Sequence, residues 1–332
     1  MNHTVHLRKA TDYMNVVTQK ENKVVFAVKH RDDNVRMFSR SGGAFTALSD
    51  VILQSGGVVY GCVLADHFKA QHIRVVNSHD RDKMRGSKYV QSEMNNCFAD
   101  VKKDLTDGRT VLFSGTPCQV GGLLSYLQEV DVSCLITLDI VCHGVPSPLI
   151  WENYILWQED KHGTCQEVNF RNKNKFGWRA TVETLTFNDK SVDSRVFATL
   201  FYSHTILRES CAVCKYKSPN RIADITIGDF WGIENVRSDW STENKGVSLV
   251  MLNSEKGERL FRESEQQLDC VQTVLANAMQ PPLIKAEGRL SRFHTKFWQD
   301  YYRLPFNKIV NRYGGLSFTS KLIKLAKKYI RK

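Results

Sequence analysis

The stretch Thr110-Val-Leu-Phe-Ser-Gly-Thr-Pro-Cys-Gln-Val-Gly-Gly-Leu-Leu-Ser-Tyr-Leu-Gln128 decides the fold class. It carries no charge and is long enough for a membrane span, but Gly115, Pro117, Gly121, Gly122 and its polar side chains argue against one. Residues 110–113 form a short apolar strand, Thr116 is a good N-cap and Pro117 suits the first helical position, so a helix begins at Cys118. A strand that turns directly into a helix is a building unit of α/β architecture.

Working outward toward the N-terminus, FSRSGGAFTALSDVILQSGG (residues 38–57) places Phe45, Leu48, Val51 and Ile52 at helical spacing, and Gly56-Gly57 ends that helix. Residues 58–64 read as a buried strand, 73–76 as its partner and 93–105 as a helix. Toward the C-terminus, 135–141 is a further buried strand leading into Cys142-His143-Gly144, with a helix at 149–158. Alternation in VNFRNK, ATVETLTF and SVDSRVF across 166–197 suggests antiparallel hairpins inserted into this pattern. Strands at 222–227, 247–252 and 271–274 follow, with a helix at 255–266. The expected fold is mixed α/β: an α/β core with an antiparallel insertion and a helical, basic C-terminal tail. Residues 1–35 are polar and weakly patterned and read as an extension or edge strand. They precede an N-terminal lobe (36–118), a C-terminal lobe (119–284) and the tail (285–332).

With 332 residues and 42% hydrophobic composition the chain can bury a large core. Its net charge of +11 comes from residues 285–332, which hold 13 Lys/Arg against 2 Asp/Glu, so the rest is neutral and offers nucleic acid no extended basic track. Charges scattered through residues 1–35 do not form a secretory leader, and a cytoplasmic location is expected. Nine cysteines in that setting point to metal or redox use rather than a disulfide framework.

Cys211-Ala-Val-Cys214 lets two thiolates face one metal centre, and it fits half an iron-sulfur site, half a zinc site or a redox dithiol. Cys118 and Cys142 sit just beyond expected strands, whose carboxyl ends converge on one crevice in α/β sheets. Helix-start amides favour a thiolate at Cys118. Four thiolates from these loops can hold a cubane; alternatively Cys118 and Cys142 are small buried residues, as Cys62, Cys97, Cys134, Cys165 and Cys270 are read to be.

Ser41, Gly42, Gly43 and Thr46 open a helix whose amides can approach a phosphate, or else the glycines serve close packing. The stretch is no Gly-x-Gly-x-x-Gly fingerprint, which disfavours a nicotinamide Rossmann domain. In RGSKYVQS, Lys88, Tyr89, Gln91 and Ser92 combine a cation, a ring and polar donors that suit a flavin, or form a solvated turn. Gly115, Thr116 and Gln119 lie beside Cys118.

The succession SRSGGAFTAL, RGSKYVQS, LFSGTPCQVGGL, LDIVCHGVPSP and CAVCKYKSPNRIADITIGDFWG, over about residues 36–275, resembles the coenzyme F-420 hydrogenase/dehydrogenase beta-subunit family. That resemblance implies an oxidoreductase holding FAD beside a 4Fe-4S cluster and passing electrons to or from a deazaflavin coenzyme or another small molecule. It implies Cys118, Cys142, Cys211 and Cys214 as cluster ligands, with Ser41–Thr46, Lys88–Ser92, Gly115–Gln119 and the Gly228-Asp229 turn around the flavin. His143 would transfer a proton or orient its neighbours. Many family members carry an N-terminal ferredoxin module, whereas no cysteine here precedes Cys62, so an external ferredoxin or electron-donating subunit is implied. Similar proteins are encoded among bacterial surface-polysaccharide genes, where the competing expectation is a non-catalytic, metal-stabilised scaffold. Between 316 and 332, Phe318, Leu322, Leu325 and Tyr329 form an apolar stripe beside Lys321, Lys324, Lys327, Lys328, Arg331 and Lys332. Such a helix suits peripheral attachment to the inner face of the cell membrane, or packing on the body.

Overall fold

The computed structural model describes residues 23–284 and 290–316. Its strands are β1 (Val24–His30), β2 (Val58–Leu64), β3 (Ala70–Val75), β4 (Val111–Gly115), β5 (Leu135–Ile140), β6 (Cys165–Asn169), β7 (Glu183–Phe187), β8 (Ser191–Ser194), β9 (Ile225–Asp229), β10 (Ser248–Leu252) and β11 (Leu268–Thr273). Eight of them form a mixed sheet in the order β11-β1-β10-β9-β5-β4-β2-β3. Its centre, β9-β5-β4-β2, is parallel. Antiparallel β3 closes one side, and β10, β1 and β11 extend the other.

The central strands are continuous apolar runs because helices cover both faces. Alternate residues divide between the two faces. Val59, Leu112, Leu138 and Ile225 pack with helices Ala44–Gln54 and Glu255–Ser264. Val58, Tyr60, Val111, Phe113 and Leu135 pack with helices Cys97–Thr106 and Pro117–Tyr126. The separate three-stranded sheet β6-β7-β8 is antiparallel, as the alternation in residues 166–197 indicates. Leu185 and Phe187 of that sheet share a core with helices Pro148–His162, Val196–Tyr202, His294–Tyr301 and Phe306–Tyr313.

Three expectations need correction. Residues 24–30 are not an edge strand, because β1 lies between β11 and β10 with Val25, Ala27 and Val28 fully buried. Buried on both faces, this strand reads VVFAV without the alternation that marks a half-exposed one. The helix expected from residue 93 begins at Cys97; Glu93 instead extends the sheet, its N–H donating to Ala70 O and its carbonyl accepting from His72 N, both at 2.9 Å. Cys134 is exposed rather than buried. The stripe of Phe318, Leu322, Leu325 and Tyr329 lies outside the described residues, among which no helix is long and apolar enough to cross a membrane.

Candidate functional site: a four-cysteine cavity

β4 ends at Gly115 and passes into helix Pro117–Tyr126 through a capping box, in which Thr116 N–H donates to Gln119 Oε1 at 2.9 Å. Thr116 Oγ1 then lies 3.1 Å from Cys118 Sγ. β5 ends two residues before Cys142. The loop carrying Cys211 and Cys214 reaches this edge because Arg221 is drawn under it. The Arg221 and Asp139 side chains, 1% and 0% exposed, pair at 2.8 Å, while Arg221 also donates to Tyr216 O at 2.9 Å and Ile140 O at 3.2 Å. Tyr216 lies directly on helix Pro117–Tyr126: a Cβ at Gly121 would stand 2.3 Å from the Tyr216 hydroxyl oxygen, so only glycine admits this approach. The result is one small, mostly apolar cavity lined by Cys118, Cys142, Cys211 and Cys214 with Pro117, Gly144, Val145, Tyr216, Lys217 and Arg221.

All four cysteines are free thiols. Burial, and then the neighbouring Cys118 and Cys211, push the Cys142 thiol up to about 12. Burial also raises Cys211, although Val145 N–H donates to its sulfur at 3.5 Å. The protein alone therefore disfavours thiolates at these two positions, and a cation bound among them would reverse that. Among the described residues no group of three or more His, Cys, Asp or Glu is arranged to hold a single metal ion. One zinc gathers its thiolates through bonds of about 2.3 Å. Four cysteine side chains on one cavity are a donor set that zinc or an iron-sulfur cluster can use.

Beside the cavity, the His143 ring packs 5.0 Å from Phe201, 5.4 Å from Tyr202 and 4.6 Å from His204. Its Nε2 is buried without a hydrogen-bond partner, and burial pushes the ring down to about 4, so it is neutral at pH 7. Behind Cys118 runs a directed chain of bonds. His72 Nε2 donates to Ser114 O at 3.0 Å, Ser92 Oγ donates to His72 Nδ1 at 2.9 Å, and Gln119 Nε2 donates to Ser92 Oγ at 2.7 Å.

A larger cleft of about 840 Å³, within the usual size of ligand sites, opens between residues 37–40 and 82–88 and the three-stranded sheet. Arg40, Arg85, Lys88, Arg171, Lys173 and Lys175 line it with Asp82 and Glu167; Arg85 pairs with Asp82, Arg40 with Asp229 and Lys175 with Asp193. A relay of side-chain contacts runs from the cleft toward the cavity. Arg171 Nη1 donates to Tyr89 OH at 3.5 Å and Tyr202 OH at 3.3 Å, and Tyr202 packs on His143, the residue after Cys142.

The residues expected to contact flavin are dispersed. Thr116, Gln119 and Ser92 meet beside Cys118, and Tyr89 accepts from Arg171 of the cleft. Asp229 pairs with Arg40 at 3.0 Å and accepts from Trp178 Nε1 at 2.7 Å. Gly228 makes room for Val141, Gln91 accepts from Arg208, and Gly115 ends β4. Lys88 lines the cleft, but its ammonium closes a turn by donating to the carbonyls of Lys83, Met84, Arg85 and Gly86. In the SGG turn, Gly42 N–H donates to Ser248 Oγ at 2.9 Å, Ser41 Oγ donates to Val247 O at 2.6 Å, and Thr46 Oγ1 accepts from Arg85 at 3.1 Å. A Cβ on Gly42 would stand 2.2 Å from Val28 O, and Gly43 caps helix Ala44–Gln54 at φ 94°. The sequence reading missed Arg221, Tyr202, His204, Arg40 and Arg171, which gain their roles through long-range contacts that no local pattern announces.

The family model for the C-terminal part of the beta subunits of coenzyme F-420 hydrogenase/dehydrogenase matches residues 108–274, a span holding all four cavity cysteines and strands β4 to β11. Among solved structures, a chain of the xenon-derivatised F-420-reducing NiFe hydrogenase complex from Methanosarcina barkeri is similar over 74% of this chain and 81% of that chain, with a TM-score of 0.52 and 15% identity. At that identity the likeness is one of fold. No curated protein matches the chain. With half of its length matched by the family model, the chain belongs to the coenzyme F-420 hydrogenase/dehydrogenase beta-subunit family.

Proposed function

We propose that the chain is an iron-sulfur flavoprotein oxidoreductase, with a 4Fe-4S cluster on Cys118, Cys142, Cys211 and Cys214 and FAD in the larger cleft. The observation that carries this reading is the convergence of four cysteines from three separate segments on one cavity at the carboxyl edge of the parallel strands. When bound, the cluster would supply single-electron transfer and the flavin would couple it to a two-electron change in a small-molecule or deazaflavin-like substrate. Arg171 supplies positive charge for the anionic cofactor at the cleft, held in place by its bonds to Tyr89 and Tyr202. His143 offers its unpartnered, neutral Nε2 for proton exchange beside Tyr202. Lys217 and Arg221 place positive charge beside the cluster thiolates, and the apolar wall limits water there. Electrons come from a separate carrier protein on the cytoplasmic side of the membrane, in a surface-polysaccharide setting; the sequence resemblance supports that setting.

The test is flavin content after anaerobic purification. The full chain should carry about one flavin, and Arg171→Met should lower flavin occupancy while leaving bound iron unchanged. Iron-loaded protein that takes up no flavin from excess FAD would return the chain to a metal-stabilised scaffold.

A further inference from the structure

We propose that the surface around the four-cysteine cavity is the docking face for an acidic electron-carrier protein. This rests on the cluster reading above and names the partner of that site. The cavity opens outward, since Cys118 is exposed. Around its mouth stand apolar side chains that the fold leaves uncovered. Val213, between Cys211 and Cys214, is 70% exposed, Ile222, after Arg221, is 41% exposed, and Ile140, whose carbonyl meets Arg221, is 39% exposed. Cations rim this patch. Lys215 is exposed over the Tyr216 ring, Lys217 lines the cavity, and Lys23 donates to Pro219 O. Residues 208–221 present Arg208, Lys215 and Lys217 against Glu209, since Arg221 and Asp139 are buried against each other and cancel.

An apolar centre with a charged rim is the anatomy of a protein contact. Electron-transfer contacts are small, below roughly 1,200 Å², and charge steers them more than area does. The sign of this rim selects a negatively charged carrier whose redox group lies close to its own surface.

The test titrates the full, anaerobically purified chain calorimetrically with an oxidised, net-negative bacterial ferredoxin. Iron is counted on the same samples. Binding should weaken steeply with added salt. Lys215→Glu should weaken it about tenfold, while Lys308→Glu, an exposed charge reversal on helix Phe306–Tyr313, should leave it unchanged. Equal affinity for wild type and Lys215→Glu, or tighter binding of cationic cytochrome c, would overturn the docking face. Iron-free protein that still binds the ferredoxin in a Lys215-dependent way would keep the docking face and remove the cluster reading. Iron-loaded protein that ignores the ferredoxin would do the reverse.

Discussion

The cysteine cavity and the SGG turn look alike in sequence, since each sets small residues at a helix start, yet they do opposite things with them. At Ser41 and Gly42 the polar groups are taken up by neighbouring strands, Gly42 N–H by Ser248 and Ser41 Oγ by Val247. At Cys118, Cys142, Cys211 and Cys214 the sulfurs line open space, with the amides of Gly144 and Val145 and the Thr116 hydroxyl close to them. What separates the two regions is therefore not the residue type. It is whether the fold has already occupied the donors and the space.

Exchanging one residue in each region should separate the two roles. Gly42→Ala forces a methyl into Val28 O and Ser248 N, at 2.2 and 2.6 Å, and should cost about 3 kcal/mol or more in urea unfolding. Cys142→Ala in metal-free protein should change unfolding by less than about 1 kcal/mol. The reverse order would break the comparison.

A smaller effect sharpens it. Lys173 ties the cleft to the SGG turn by donating to Ser41 O at 2.9 Å. Burial, then Arg40 and Arg36, push its ammonium down to about 7 from 10.5. Between those values the unfolded chain holds a proton that the folded chain has shed, so Lys173 makes the fold gain stability as pH rises through that window. The gain is at most about 1.4 kcal/mol per pH unit. Unfolding free energies from pH 7 to about 9.5 should therefore climb more steeply for wild type than for Lys173→Met. Parallel pH profiles would show that the turn does not depend on that buried amine.

Much of the core was legible because its signals are local. The 110–128 stretch carried its own strand, cap and helix start, and Thr116 and Pro117 hold the expected positions. Cys118 and Cys142 could be placed at one edge because both follow strand ends, whereas joining them to the Cys211/Cys214 pair came from the family resemblance. Other features depend on distant partners. The burial of β1 requires β10 and β11, more than 200 residues away, and Arg221 is fixed by Asp139 at a separation of 82 residues. Lys88 looked like a free cation because its four carbonyl acceptors lie in a turn whose shape the sequence did not reveal.

The central claim is that the four thiols hold a cluster rather than one ion, and metal analysis tests it most directly. Full-length chain purified without oxygen should contain about four iron and four acid-labile sulfide per chain, with broad visible absorption that Cys214→Ala abolishes. One zinc per chain with neither iron nor sulfide, unchanged after anaerobic reconstitution with iron and sulfide, would contradict it.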